Sequence, residues 1–364
     1  MTKAMVVRAF ALNTSLILVS VGITLALLDL TVRVYAGLTK LELPSPAEQF
    51  VENPNNPARF DPVLGWGLRP GYRSADGSNS VNSLGMRSSV DWPAAALPKC
   101  TRKVLILGDS MVFGLGVQQP QIFTELLNRE ERGTLFINTG VIGYSTGQEY
   151  LVQQRVSNVM QFDLGIVFFT EDNDIWWNTR TTNFNAGFSL QDGTLTAIPP
   201  KPFNDVPFYS RSALYRLLDL RLFHGKDLDY LLRRIGVELK ERDSYSWKVT
   251  EAVLREMKKT ADIHGYPLIV IDLPTANQRK STMVSRKRQT LLRETSAQLQ
   301  MYYFDLLEHY PEPADSLFLK EDSHWNAKGH RFIADFLKSI LPPHVCANGN
   351  GAEHDDLHLN RDPD

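Results

Sequence analysis

From Lys103 onward the chain alternates short, branched apolar runs with stretches of helical period, and few architectures accept that rhythm. KVLILG at 103–108, LFINTG at 135–140, LGIVFFT at 164–170 and YPLIVIDLP at 266–274 read as buried strands. Between and after them lie helical patterns around Ile122, Leu126 and Leu127, and near Gln148–Val159. Others run through Val253, Met257 and Ala261, and over Ala327–Ile340, where Phe332, Ile333, Phe336, Leu337 and Ile340 share a side. Strands separated by helices pair in parallel and need cover on both faces. The expected fold is a three-layer α/β/α sandwich with a mostly parallel central sheet. With 43% hydrophobic residues over 364 positions, the chain has the material for such a core.

The N-terminus adds a different constraint. Ala9–Leu30 is apolar except for short polar residues and Asp29 near its end, and as a helix would cover roughly 33 Å, enough for a hydrocarbon core. Lys3 and Arg8 precede it, as they precede a signal peptide or an anchor held inside by its positive flank. Val34-Tyr35-Ala36, preceded by Arg33, is a poor cleavage site, so an uncleaved transmembrane helix is preferred to a cleaved signal or an interfacial helix. The large domain is then expected on the periplasmic or extracellular side. The organisation reads as an anchor at 1–30, a neck and packing extension at 31–99, and a main domain at 100–343. An insertion at 175–245 interrupts that domain, and a disordered polar tail follows at 344–364. Cys100 and Cys346 lack zinc-site spacing; a disulfide and two free thiols both remain open.

Several classes drop out. Lys and Arg number 39 against 41 Asp and Glu, with no basic block interleaved with aromatics, which argues against nucleic acid. No phosphate loop, GxGxxG or HExxH motif occurs, and no cofactor or metal is called for. His and Asp in the tail read as a solvated segment rather than a metal site.

Gly108-Asp109-Ser110 follows KVLIL directly, at the strand end where open α/β sheets place their sites. A serine needs a base to become a nucleophile. Asp322-Ser323-His324, just before the last helix, offers an imidazole that can face Ser110 through one nitrogen and a carboxylate through the other. Glu321 is the other carboxylate within reach. Asn326 reads as a helix cap, His330 as structural, and Trp325 as packing for the histidine loop. Trp176 and Trp177 are either a flat wall for a sugar or acyl group or further packing. Gly65, Gly67, Gly71 and Gly85 punctuate the extension, which reads as packing against the main domain; a part for Arg69 or Arg87 in shaping a cleft stays open, without support from spacing.

Four motifs in order resemble the SGNH, or GDSL-type, hydrolase superfamily. They are Gly108-Asp109-Ser110, Asn138-Thr139-Gly140-Val141-Ile142-Gly143-Tyr144-Ser145, Glu171-Asp172-Asn173-Asp174, and Asp322-Ser323-His324. The resemblance spans residues 103–340, and DPVLGWGLRP and VNSLGMRSS also resemble the approach segment of membrane-associated bacterial branches. It departs from the usual pattern in two places. Glu171 and Asp172 stand where a glycine and a small residue commonly precede Asn-Asp, and the aspartate lies two residues before His324 rather than three.

The resemblance implies a Ser110–His324–Asp322 site, with oxyanion donors at Gly143 and Asn173 beside the Ser110 amide. It implies a serine esterase, its substrate a small O-acyl group on a cell-envelope carbohydrate or another ester-bearing molecule. An O-acyltransferase using the same serine is the nearest alternative, and a non-catalytic envelope carbohydrate-binding or assembly protein is a third.

Overall fold

The computed structural model describes residues 3–39, 56–91, 100–131, 133–170, 174–179, 185–200, 212–218, 245–274, 279, 286–320, 323–342 and 344. Its strands are β1 (Ala58–Asp61), β2 (Gly65–Leu68), β3 (Arg102–Leu107), β4 (Thr134–Asn138), β5 (Leu164–Thr170), β6 (Gly187–Gln191), β7 (Thr194–Ile198), β8 (Leu268–Leu273) and β9 (Tyr302–Asp305). Its helices are α1 (Lys3–Thr39), α2 (Ser110–Phe113), α3 (Phe123–Glu130), α4 (Thr146–Ser157), α5 (Trp176–Thr179), α6 (Ala213–Leu218), α7 (Tyr245–His264), α8 (Lys287–Gln298) and α9 (Ala327–Ile340).

The central sheet runs β4-β3-β5-β8-β9, every neighbouring pair parallel. Because successive strand residues face opposite sides, Leu105 and Leu107 of β3 enter one layer while Val104 and Ile106 enter the other. The first layer holds Val152 and Val156 of α4 with Val253, Leu254 and Met257 of α7. The second holds Phe123 and Leu127 of α3 with Ile333 and Leu337 of α9. Each such large side chain, fully buried, contributes about 1.5–3 kcal/mol. The result is the three-layer sandwich. Strand β9, which ends the sheet, is four residues long with a half-buried start, too short for the apolar pattern to disclose.

This order makes β3 the switch point: β4 adds on one side of it and β5 on the other. Such a reversal opens a crevice beyond the carboxyl ends of the strands, where the turn after β3 carries Ser110.

Helix α1 continues past the boundary expected at residue 30. Asp29 pairs with Arg33 one turn on, and the hydroxyls of Thr31 and Thr39 bond back to Leu27 and Tyr35, so nothing stops the helix before Thr39. Its stretch Asn13–Thr39 is long and apolar enough to cross a membrane, a property that signal sequences share. Within the insertion, β6 and β7 form a hairpin closed by Asp192-Gly193, both at positive φ as a two-residue turn requires. Residues 201–211 and 219–244 of the insertion, 40–55 and 92–99 of the neck, and the tail from 345 lie outside the described residues. Cys100 is disulfide-bonded.

The extension before β3 is built into the domain through Arg87. This guanidinium is buried and donates to the carbonyls of Phe113 (2.8 Å), Gly114 (2.6 Å), Ser78 (3.0 Å) and Val117 (3.0 Å), and to Gln119 Oε1 (3.3 Å). Burial lowers its pKa to about 10, so it stays charged at neutral pH. Replacing it strands those carbonyls. Arg87→Met is therefore expected to cost about 3 kcal/mol or more in urea unfolding, with Arg87→Lys restoring only part because an ammonium cannot reach the whole fork.

Candidate active site

The turn after β3 is short because Asp109 caps α2, its carboxylate accepting the Met111 amide at 2.8 Å. Ser110 is thus the first helical residue, and its side chain is only 7% exposed. The turn is clamped from β4: Asn138 Nδ2 donates to the Val112 carbonyl (2.8 Å), and the Val141 amide donates to that of Gly108 (3.3 Å). Gly140 packs so closely against this turn that an added Cβ would lie 2.5 Å from the Phe113 nitrogen.

His324 arrives from the far end of the chain. Its Nε2 stands 2.7 Å from Ser110 Oγ. The loop that presents it is fixed on both sides. Trp325 is buried edge-on against Phe123 and Phe168, while Asn326 caps α9 through the Lys328 and Gly329 amides and donates to the Ser316 and Phe318 carbonyls. His330 is a different kind of histidine. It stacks on Phe123, accepts that residue's amide at 3.4 Å, and burial lowers its pKa to about 3, so it is uncharged at neutral pH.

Gly143 lies in the loop after β4, at φ +76° in a turn closed by the Tyr144 amide on the Val141 carbonyl. The β1–β2 hairpin holds this loop from outside. Trp66 Nε1 donates to the Ile142 carbonyl (3.0 Å), the Tyr144 hydroxyl donates to the Trp66 carbonyl, and Gln148 Nε2 donates to that of Leu64 (2.7 Å). Arg155 of α4 clasps Asp61 through both oxygens, at 2.8 and 3.0 Å. Trp66 carried no signal in the sequence beyond the glycines around it.

Asn173 and Asp322, and with them Glu171, Asp172 and Glu321, lie outside the described residues. The structure brings together Ser110 and His324, and sets Gly143 in the loop adjoining the turn of Ser110. Trp177 is half-buried on α5, and the side chain of Trp176 lies outside the described residues.

Behind Ser110 the protein buries three carboxyls: Asp109, Glu149 and Asp174, none more than 1% exposed. Asp174 accepts the Thr170 amide through Oδ2, but its Oδ1 and both oxygens of Glu149 have no hydrogen-bond partner among the described residues. Burial first, then the neighbouring carboxylates, push the protonation of Glu149 and Asp174 well above the usual carboxylate range. Such a pair avoids placing two uncompensated charges in the core.

No family model and no curated protein matches the chain. Solved structures similar to it include the lipase/acylhydrolase from Enterococcus faecalis, 15% identical, with 67% of this chain and 100% of that one covered at TM-score 0.38. A member of the lipolytic protein G-D-S-L family from Veillonella parvula is 12% identical, over 66% and 97% at TM-score 0.39. The psychrotrophic esterase EstA from a Pseudoalteromonas species, in a structure inhibited by monoethylphosphonate, is also 12% identical, over 65% and 95% at TM-score 0.38.

The buried acids make stability fall with rising pH. Unfolded carboxyls ionise near pH 4, whereas the raised folded values keep protons bound. Each retained proton thus removes up to about 1.4 kcal/mol of stability per pH unit above that point, until the folded group ionises. Glu149→Gln, which mimics the neutral acid, is expected to flatten the decline in thermal midpoint between about pH 5 and 8. An unchanged slope would mean that Glu149 is ionised in the fold.

Proposed function

We propose that the chain is a serine-dependent ester hydrolase. The observation that carries this reading is the 2.7 Å contact between Ser110 Oγ and His324 Nε2, made by residues from opposite ends of the sequence at the sheet's switch point. In the proposed reaction His324 takes the proton from Ser110 as the hydroxyl attacks the ester carbonyl. Asp322 holds the imidazole in the tautomer that leaves Nε2 free to accept. The Ser110 and Gly143 amides and the Asn173 side chain stabilise the alkoxide that forms. His324 then protonates the leaving alcohol, and a water it deprotonates clears the acyl-serine.

The substrate class follows from the resemblance and from topology: a small O-acyl group, acetyl foremost, on a cell-envelope carbohydrate. With α1 as an uncleaved single-pass anchor and Lys3 and Arg8 inside, the catalytic domain faces the periplasm or the exterior. The disulfide at Cys100 supports that side, because disulfides persist in oxidising compartments.

On p-nitrophenyl acetate, Ser110→Ala and His324→Ala should each lower kcat/KM by about 10³-fold or more, and a variant keeping the wild-type rate would refute its assigned role. Asp322→Asn should cost about 10²-fold or more while Glu321→Gln leaves the rate unchanged; the reverse pattern would exchange their roles. Trp66→Phe keeps an aromatic ring but loses the bond to the loop of Gly143. It should lower kcat by about tenfold with KM nearly unchanged, the signature of looser transition-state stabilisation, and lower the thermal midpoint as well, because the smaller ring leaves a gap in the core. With an acetylated oligosaccharide and a sugar acceptor together, free acetate identifies a hydrolase and acetylated acceptor a transferase.

A further inference from the structure

An acid near the end of an apolar span is costly unless something meets it. Asp29 is met from the insertion: Ser212 donates its hydroxyl to Oδ1 at 2.7 Å and Leu214 its amide at 2.9 Å, while Arg33 holds Oδ2 at 2.8 Å. Helix α6 therefore packs on α1 with its first turn tied to Asp29. Two small side chains are buried there, Ala36 on α1 and Ala213 on α6, as a close helix crossing requires.

Helical rise fixes the depth of this junction. Positions 8 and 29 are separated by about 32 Å along α1, close to the ~30 Å thickness of a hydrocarbon core. With the basic position 8 at the inner boundary, the Asp29–Arg33 pair stands at the outer one. Segment 212–218 is held at the same level. Its Tyr215 and Leu218 are 41% and 43% exposed, and on α1 Val34 and Tyr35, in the turns just beyond Asp29, are exposed too. Tyrosine with aliphatic residues, continuous with a span, is the composition of a surface that meets headgroups and upper acyl chains.

We infer that Ser212–Leu218 is a second membrane contact, an interfacial segment seated on the anchor by Asp29, whose partner is the outer lipid surface. The inference rests on the reading of α1 as an uncleaved anchor. It gives the catalytic domain two points of attachment to the bilayer, the second within the chain's own insertion, so the domain is held close to the lipid surface.

Nitroxide labels on Leu218→Cys, Leu18→Cys and Lys259→Cys, in the full chain reconstituted into phosphatidylcholine–phosphatidylglycerol nanodiscs, test this by collision with oxygen and with a water-soluble nickel chelate. Lys259 is a solvent-exposed reference on α7. The label at 218 should shift from nickel toward oxygen access, to a depth of about 5–10 Å in the headgroup–acyl boundary. Asp29→Ala should abolish that shift while leaving Leu18 embedded. Nickel access at 218 equal to that at 259, with Leu18 embedded, overturns the inference alone; Leu18 exposed to nickel overturns the anchor as well. A label at 218 shielded from both reagents means a protein partner and also overturns it, as does a depth at 218 that Asp29→Ala leaves unchanged.

Discussion

The contact between Ser110 and His324 depends on two turns that the rest of the fold holds still. On the serine side, the carbonyls at the end of α2 are gathered by the buried Arg87, and Asn138 with Gly140 presses the turn from β4. On the histidine side, Trp325 sinks into the aromatic layer of Phe123 and Phe168 while Asn326 closes the start of α9. Neither clamp uses a flexible surface residue. A hydroxyl and an imidazole more than two hundred residues apart are therefore set within hydrogen-bond distance by the fold itself, the preorganisation that the proposed reaction needs.

Charge is managed by burial rather than by pairing around this centre. His330 is kept neutral beside the charged Arg87, and Glu149 and Asp174 are kept from ionising together behind Ser110. Among the described residues His324 is the one whose ring nitrogen meets the Ser110 hydroxyl, at 2.7 Å. The extension before the sheet belongs to the same economy. Its hairpin holds the loop of Gly143 through Trp66, and its Arg87 holds the turn of Ser110, so a segment that looks like a neck is part of the site's frame.

Much of this was legible in the residues because the signals are local. Branched runs at 103–108, 135–140, 164–170 and 266–274 became β3, β4, β5 and β8, and the turn chemistry of Gly108-Asp109-Ser110 put a hydroxyl at a strand end. What was not legible depends on contacts across the chain. Nothing near Trp66 announces that its indole will meet the carbonyl of Ile142, nor does the spacing around Arg87 name the four carbonyls it gathers. Glu149 sits in a polar helical pattern that reads as exposed, yet the helix is covered on that side. Strand β9 was too short to declare itself. Asp29 looked like the end of a span and not like a partner for Ser212, because the two are separated by most of the chain.

In the proposed function Ser110 is a nucleophile made reactive by His324. Labelling the intact protein with a fluorophosphonate and mapping the adduct by peptide mass spectrometry tests it most directly. One adduct is expected, on the peptide containing Ser110, and it should form far more slowly in His324→Ala. An adduct on another residue, or labelling at the wild-type rate without the imidazole, would contradict it.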